Sequence, residues 1–371
     1  MKTLSTPLAT TPGAPGRRPT MKDVAALVGV HQTTVSLALR DHPGIPVATR
    51  EKIREAAARI GYRPDPALDA FNFYRLSNHP IRSAPLMAFL SDQPSAAAFS
   101  GSAVHRDLYE GARAQAEKLG FVLERFLVGP GQLSAARLDH VLVARNIGCV
   151  LLGAFSLETA ELPLDWSRLC ALKIDSFHVQ PRLDVVSANY QDAARQAVLR
   201  LRAQGRRRIG LVIARGDETR LENHAYAGFL VEHATTDWER TIPPFAIDDA
   251  SAGLVRDWAE WLSRHRIDAL VVAAPGWDGW LEQAGIQAPG IPVARFRVRA
   301  ERGQPGLVLN HREVGVRAVE LLAMRWHTNQ RGLPAFVSNT FTPVDWSDGS
   351  ELGAPAVAEA GTRANARAGG R

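Results

Sequence analysis

From Pro85 onward, short apolar runs alternate with stretches of helical period, and this alternation restricts the fold more than any other feature of the chain. The runs are PLMAFLS, FVLERFLV, GCVLLGAF, LCALKID, RIGLVIA and DALVVAA, with helices predicted over residues 104–119, 134–145, 192–204 and 225–233. Strands that are apolar throughout need cover on both faces, so a βαβαβ order implies parallel sheets layered with helices. The pattern runs through residues 85–348, which is long for one doubly wound sheet and predicts two similar lobes. Such sheets take ligands at the carboxyl ends of their strands, so the residues that follow each run are the first candidates for a binding site.

The chain before Pro85 has a different character. Of its 44 Lys/Arg and 38 Asp/Glu, ten and four fall within residues 1–63, so the whole formal excess of +6 lies in the first sixth of the chain. Clustered cations release condensed counterions from a polyanion, and a basic head on a neutral body therefore predicts a nucleic-acid-binding module, although a solvated basic N-terminus would carry the same charge. Cys149 and Cys170 both lie in apolar runs and are too few for a structural zinc site, so they read as buried thiols. No stretch approaches the roughly 18 apolar residues of a membrane span, and the first residues lack the apolar core of a signal peptide; a cytoplasmic protein is expected.

Residues 1–19 and 349–371 are rich in Ala, Gly, Pro and Thr or Arg without periodicity and are expected to be disordered tails. Between them and the sheets, residues 20–63 predict three short helices. Thr20 caps the first, which runs through Val28 to a break at Gly29. The second spans His31 to Leu39, and the third Ala48 to Ile60 with Gly61 as its stop. In MKDVAALVGVHQTTVSLALRD, the small Ala25, the turn residue Gly29 and the branched Val35 stand at the offsets of a helix-turn-helix, where two helices must touch at a sharp angle. Gln32, Thr33 and Ser36 then lie near the exposed start of the second helix, where an amide and hydroxyls reach major-groove edges or phosphates. Residues 64–84 follow as a hinge helix and linker. Asp65 and Pro66 open the helix, and Ala67, Leu68, Ala70, Phe71, Phe73 and Tyr74 nearly encircle it, so it must bury its surface against something else.

The segments KDVAALVGV, TTVSLAL, ATREKIREAA and IGYRPDP resemble, in order and without gaps, the DNA-binding domain of the LacI/GalR family of bacterial transcriptional regulators. ALKID, VVSANYQDAARQAVLRL, GRRRIG and NHREVGVRAVELL are similar to its effector domain, more loosely. The resemblance implies an α/β protein with a three-helix helix-turn-helix headpiece over 20–63, a hinge helix, and over 85–348 a two-lobed effector and dimerisation domain like the periplasmic binding proteins. Gln32 and Thr33 match the family's base-reading pair, and Thr34 and Ser36 its backbone-contacting hydroxyls. His31 replaces the usual capping serine and Leu37 an arginine that reads guanine; Leu37 either meets a thymine methyl or packs inward. Arg40, Tyr62 and Leu68 complete the candidate DNA contacts. Phe71 stands where the family inserts a leucine into the minor groove, and either wedges a base step apart or packs two hinges together.

Candidates for the effector are Asp92 and Asp175 at strand ends, Asn223, Trp277 and Asp278. Asp175 matches an aspartate of the family's ligand cleft, and equally suits a turn cap; Trp277 and Trp280 either stack on a polar ring or belong to the core. The family's usual Ala-Asn-Asp motif is replaced by residues 274–278, and its sugar-holding arginine by Ala225 ahead of Gly228 and Phe229, so sugar binding in the usual manner is not expected. No phosphate loop, dinucleotide fingerprint, H-E-x-x-H or nucleophile elbow occurs. The expectation is a dimeric regulator, without cofactor, that binds a pseudo-palindromic operator under control of a small-molecule effector such as a sugar or sugar derivative. A solute-binding module with only non-specific DNA affinity is the alternative, and an enzyme on a two-lobed body would instead show a cluster of titratable groups in the cleft.

Overall fold

The computed structural model describes residues 19–39, 44–62, 84–234, 242–247, 252–287, 290–298 and 305–348. The expected hinge helix, with Leu68 and Phe71, lies outside the described residues, as do Arg40 and residues 1–18 and 349–371. The chain divides into two compact units, the smaller holding the N-terminal helices and the larger most of the chain from Ala84 on.

In the smaller unit, α1 (Met21–Val28), α2 (Gln32–Leu39) and α3 (Val47–Ile60) enclose Val24, Ala25, Val35, Ala38, Ile53, Ala56 and Ala57. Asp23 starts the unit by accepting the backbone N–H of Thr20 at 2.7 Å, which satisfies a donor that a helix start leaves free. Gly29 ends α1 in the left-handed region, φ 73°, with its N–H on Ala25 O, and so makes the tight turn into α2. Small Ala25 and branched Val35 are both buried, as the helix-turn-helix spacing requires.

The larger unit contains two six-stranded sheets of the same plan. The first comprises β1 (Leu86–Ser91), β2 (Val122–Leu127), β3 (Cys149–Leu152), β4 (Cys170–Ile174), β5 (Val185–Ala188) and β11 (Asn339–Thr342), in the order β11-β5-β4-β3-β1-β2, all parallel. The second comprises β6 (Ile209–Ile213), β7 (Phe245–Ala246), β8 (Ala269–Val272), β9 (Val293–Phe296), β10 (Gly306–Val308) and β12 (Asp345–Ser347), in the order β12-β10-β9-β8-β6-β7 with only β12 antiparallel. The predicted two lobes of parallel sheet are therefore present, and the central strands are buried on both faces. Cys149 and Cys170 are buried free thiols, register partners on β3 and β4.

The chain passes between lobes three times: through α7 (Tyr190–Ala203) from β5 to β6, through α12 (His311–His327) from β10 to β11, and directly from β11 to β12. Around the sheets lie α4 (Ala96–Gly101), α5 (Ala103–Lys118) and α6 (Ala135–Ala144) in the first lobe, and α8 (Arg215–Arg220), α9 (His224–Ala234), α10 (Ala252–His265) and α11 (Trp277–Gln283) in the second. Helices α7 and α9 meet so closely that a Cβ on Gly228 would stand 2.1 Å from Gln191 O. Glycine there serves packing. In each sheet the strand order reverses beside the first strand, between β1 and β3 and between β6 and β8, and ligands of such sheets sit outside the carboxyl ends at that reversal.

Candidate functional site

The smaller unit presents the start of α2. Val35 and Ala38 are buried against α1 and α3, which leaves His31, Gln32 and Thr33 exposed and Thr34, Ser36 and Leu37 half-buried. Leu37 therefore does not join the buried core, and Tyr62 packs partly against it. His31 caps α2: its Nδ1 accepts the backbone N–H of Thr33 at 3.3 Å and lies 2.9 Å from the Thr33 hydroxyl. An imidazole whose Nδ1 accepts carries its proton on Nε2, so this side chain does the work expected of a capping serine.

The larger unit gathers polar side chains at the carboxyl ends of its strands. On the first lobe, Asp92 follows β1, and its Oδ2 accepts the Ser156 N–H at 2.8 Å, the Ser156 hydroxyl at 2.7 Å and the Thr159 hydroxyl at 3.1 Å. Its Oδ1 is buried without a partner, as is Nδ1 of His178, whose Nε2 bonds Ser156 O. Asp175 follows β4 at φ 49°, fully buried, and accepts the Ser187 hydroxyl at 2.6 Å and the Tyr190 hydroxyl at 3.1 Å. Asp175 thus anchors hydroxyls of its own lobe's β5 and of the first crossover helix. Burial, then the Asp175 charge, raises the Tyr190 phenol above its ordinary range, so it stays a donor.

Facing these, the second lobe supplies Asp217 and Arg220 from α8, Arg297 after β9 and His311 at the head of α12. Asp217 stands between the two arginines, with Oδ1 3.2 Å from Arg220 Nη2 and Oδ2 3.2 Å from Arg297 Nη2. Arg220 Nη1 also donates to Asp175 O at 2.7 Å, which joins the lobes, and Arg297 Nη1 donates to Ala273 O at 2.7 Å. Burial alone would raise the Asp217 carboxyl, but Arg297 and Arg220 outweigh it and hold the group below its usual range. His311 Nε2 lies 3.5 Å from the Tyr190 hydroxyl, and burial followed by the charges of Arg297 and Arg220 depresses its pKa to about 3. His105, 2.9 Å from Ala154 O through Nε2, is lowered by burial and further by Arg220. Beside this network His224 packs edge-on against Phe177 and Phe341, centroids 4.9 and 5.4 Å away.

The effector candidates read from the sequence divide here. Asp92 and Asp175 lie at strand ends of the first lobe. Asn223 is exposed at the head of α9 at φ 59°, and Asp278 is an exposed side chain 3.9 Å from Arg295 Nε. Of the two alternatives for Trp277, its place favours the core: it sits on α11 inside an aromatic layer with Trp258, Trp280 and Phe245, 3% exposed, and its ring stacks on Trp280 at 5.6 Å. Missed from the sequence were His105, Tyr190, Asp217, Arg220, Arg297 and His311. Tyr190, Arg297 and His311 stand within three residues of a strand end, whereas Asp217 and Arg220 lie on α8 after β6; for Arg297 its place directly after β9 was the available signal. Among the described residues no group of three or more His, Cys, Asp or Glu is arranged to hold a metal ion.

With this geometry in place, comparison with known proteins is decisive for the smaller unit. Residues 20–65 match the family described as bacterial regulatory proteins, lacI family. That segment, the three-helix headpiece, is similar to the DNA-binding domain of the family, and the match spans about one eighth of the chain. The sucrose operon repressor of Vibrio alginolyticus is 44% identical over 45 residues, 12% of this chain and 48% of that protein. An HTH-type transcriptional regulator of Mycolicibacterium smegmatis is 29% identical over 203 residues, 54% of this chain and 53% of the relative. The chain thus spans about half the length of the curated relatives it matches. In fold, the chain is similar to the solved complex of the transcriptional regulator CelR with cellobiose (TM-score 0.52, 20% identity, 90% of this chain and 100% of that chain). It is also similar to a periplasmic binding ribose operon repressor protein from Lactobacillus acidophilus (TM-score 0.50, 9% identity, 71% and 97%). No helix among the described residues is long and apolar enough to cross a membrane.

Proposed function

We propose that the protein is a cytoplasmic transcriptional repressor that binds a pseudo-palindromic operator as a homodimer and is controlled by a small effector, a carbohydrate or carbohydrate derivative, held between its two lobes. The observation that carries this reading is the head of α2: Gln32 and Thr33 are exposed on a helix whose other face, Val35 and Ala38, is locked into the headpiece core. Exposed amide and hydroxyl groups on the first turn of such a helix have the reach to read base edges, while Thr34, Ser36 and Arg40 supply phosphate contacts. Two copies related by a two-fold axis then demand a palindromic site. Asp92, Asp175 and the arginines across from them line the effector site. Selection of duplexes by the purified protein tests the reading: a palindromic consensus is expected, and Gln32→Ala relaxes preference at one position per half-site by about 1–3 kcal/mol. Enrichment of no sequence, with equal affinity for every duplex, refutes it.

In the same reading Leu68 and Phe71, which lie outside the described residues, contact the minor groove at the operator centre. Phe71→Ala is expected to weaken specific binding and reduce operator bending while the headpiece stays folded; unchanged bending and affinity would assign Phe71 to packing between the two hinges.

A further inference from the structure

The side chains around Asp217 narrow the chemistry of the effector. Two buried guanidiniums share this one carboxylate, each through a single 3.2 Å contact; Arg220 Nη1 and Arg297 Nη1 donate to the neutral carbonyls of Asp175 and Ala273, and Arg297 also bonds the Tyr190 side chain and lies 5.4 Å from its ring centroid. A guanidinium offers five N–H donors in a planar fork that suits two oxygens at once, and neither arginine receives that bidentate match from Asp217. The remaining acids nearby make their hydrogen bonds to other groups, while the Asp175 charge still acts on both arginines. Asp175 takes the hydroxyls of Ser187 and Tyr190, and Glu218 takes the Tyr226 N–H while burial raises its carboxyl pKa. Both arginines retain a small exposed fraction, 11% and 13% of the side chain. On the opposite lobe, at the strand-order reversal, Asp92 Oδ1 is a buried acceptor without a partner.

We propose, resting on the reading of this cleft as the effector site, that the effector is a hydroxylated organic anion. Its carboxylate or phosphoryl group lies between Arg220 and Arg297 in the place Asp217 now fills, and a hydroxyl donates to Asp92 Oδ1. Asp217 acts as an internal stand-in that keeps the two cations apart from solvent until the ligand displaces it. A two- or three-oxygen anion makes paired N–H···O bonds to both forks, which a neutral hydroxyl cannot.

The test titrates the full-length protein at constant ionic strength with gluconate, glucose 6-phosphate and inorganic phosphate, with glucose as the neutral control, and follows thermal unfolding. A saturable rise in Tm with an anion and none with glucose is expected; response to gluconate alone assigns a carboxylate, and response to either phosphate compound a phosphoryl group. Asp217→Asn removes the competitor and keeps both cations, so the anion Kd falls about tenfold or more, whereas Arg297→Gln weakens it about ten- to a hundredfold. Should Arg297→Gln fail to fold, Asp217→Asn still decides the question. Response to glucose alone, response to none of the four compounds, or an anion response unchanged in Asp217→Asn overturns the inference. Operator selection on the same preparation separates the two readings: retained selectivity without an anion response removes only the effector class, and lost selectivity removes the regulator.

Discussion

The interlobe network makes a quantitative prediction at Asp175. Its carboxylate accepts hydroxyls from Ser187 at 2.6 Å and Tyr190 at 3.1 Å, and all three groups are buried. Asparagine is the informative replacement, because φ at this position is 49° and asparagine tolerates the left-handed region where alanine adds strain. Two hydrogen bonds to a charged acceptor contribute about 3–6 kcal/mol, and the single amide oxygen of asparagine retains a neutral bond of about 1 kcal/mol. The loss is therefore bounded at about 2–5 kcal/mol, lessened because Asp175→Asn also relieves the desolvation of a buried charge. Urea unfolding of the full chain, for wild type, Asp175→Asn, Tyr190→Phe and the double variant, isolates the Tyr190 share as a coupling energy of about 1 kcal/mol. Additivity within about 0.3 kcal/mol would show that the phenol and the carboxylate do not interact, and the network as described would be wrong.

Two further outcomes follow from the same structure. Because burial and the adjacent arginines hold His311 at about 3 against an ordinary 6.5, the unfolded chain binds a proton that the folded chain refuses between those values. Its contribution is thus fully present above pH 6.5 and is lost as pH falls toward 3, by up to about 1.4 kcal/mol per pH unit. A stability profile over that range should flatten in His311→Gln, and an unchanged slope would remove His311 as its source. In the headpiece, His31→Ala removes the cap of α2 and should cost about 0.5–2 kcal/mol, while His31→Ser restores it; equal melting of the two variants would show that the imidazole does not cap.

The two units differ in how much of each is legible in the sequence, and the reason is the range of the interactions. Ala25, Gly29 and Val35 fall within eleven residues and specify one another's environment, so the helix-turn-helix is written locally. The strands of both lobes announce themselves as apolar runs because parallel sheets bury both faces. Short strands such as β7, with two residues, and β12, with three, carry no such signal. The cleft is harder to read: Asp175, Asp217 and Arg297 are brought together from positions 42 and 80 residues apart in sequence, on two loops and helix α8, near the carboxyl ends of two sheets. Trp277 shows the reverse difficulty. The sequence leaves stacking on a ligand and packing in the core both open there, and residues 277–283 form a helix whose Trp277, Trp280 and Leu281 complete an apolar layer under α10.

The repetition of one sheet plan gives the cleft its complementarity. Strands β4 and β9 occupy equivalent places in the two orders, and the residues that follow them, Asp175 and Arg297, both adopt positive φ, 49° and 59°. The crossover helices are equivalent as well, and they begin with Tyr190 and His311, whose side chains meet at 3.5 Å. Equivalent positions therefore carry an acid on one lobe and a base on the other, and a donor opposite an imidazole. Left-handed backbone at a residue other than glycine costs free energy that the surrounding contacts must offset. Here those contacts include Arg220 to Asp175 O and Arg297 to Ala273 O, the first of which crosses between lobes. A rotation that separates the lobes would break that bond and the Tyr190–His311 approach together. A ligand changes the balance between joined and separated lobes only by its difference in affinity for the two, and contacts shared by both lobes are what create such a difference. An anion seated on Arg220 would alter a guanidinium that bridges the lobes, which places the chemistry of recognition and the control of lobe geometry on the same side chain.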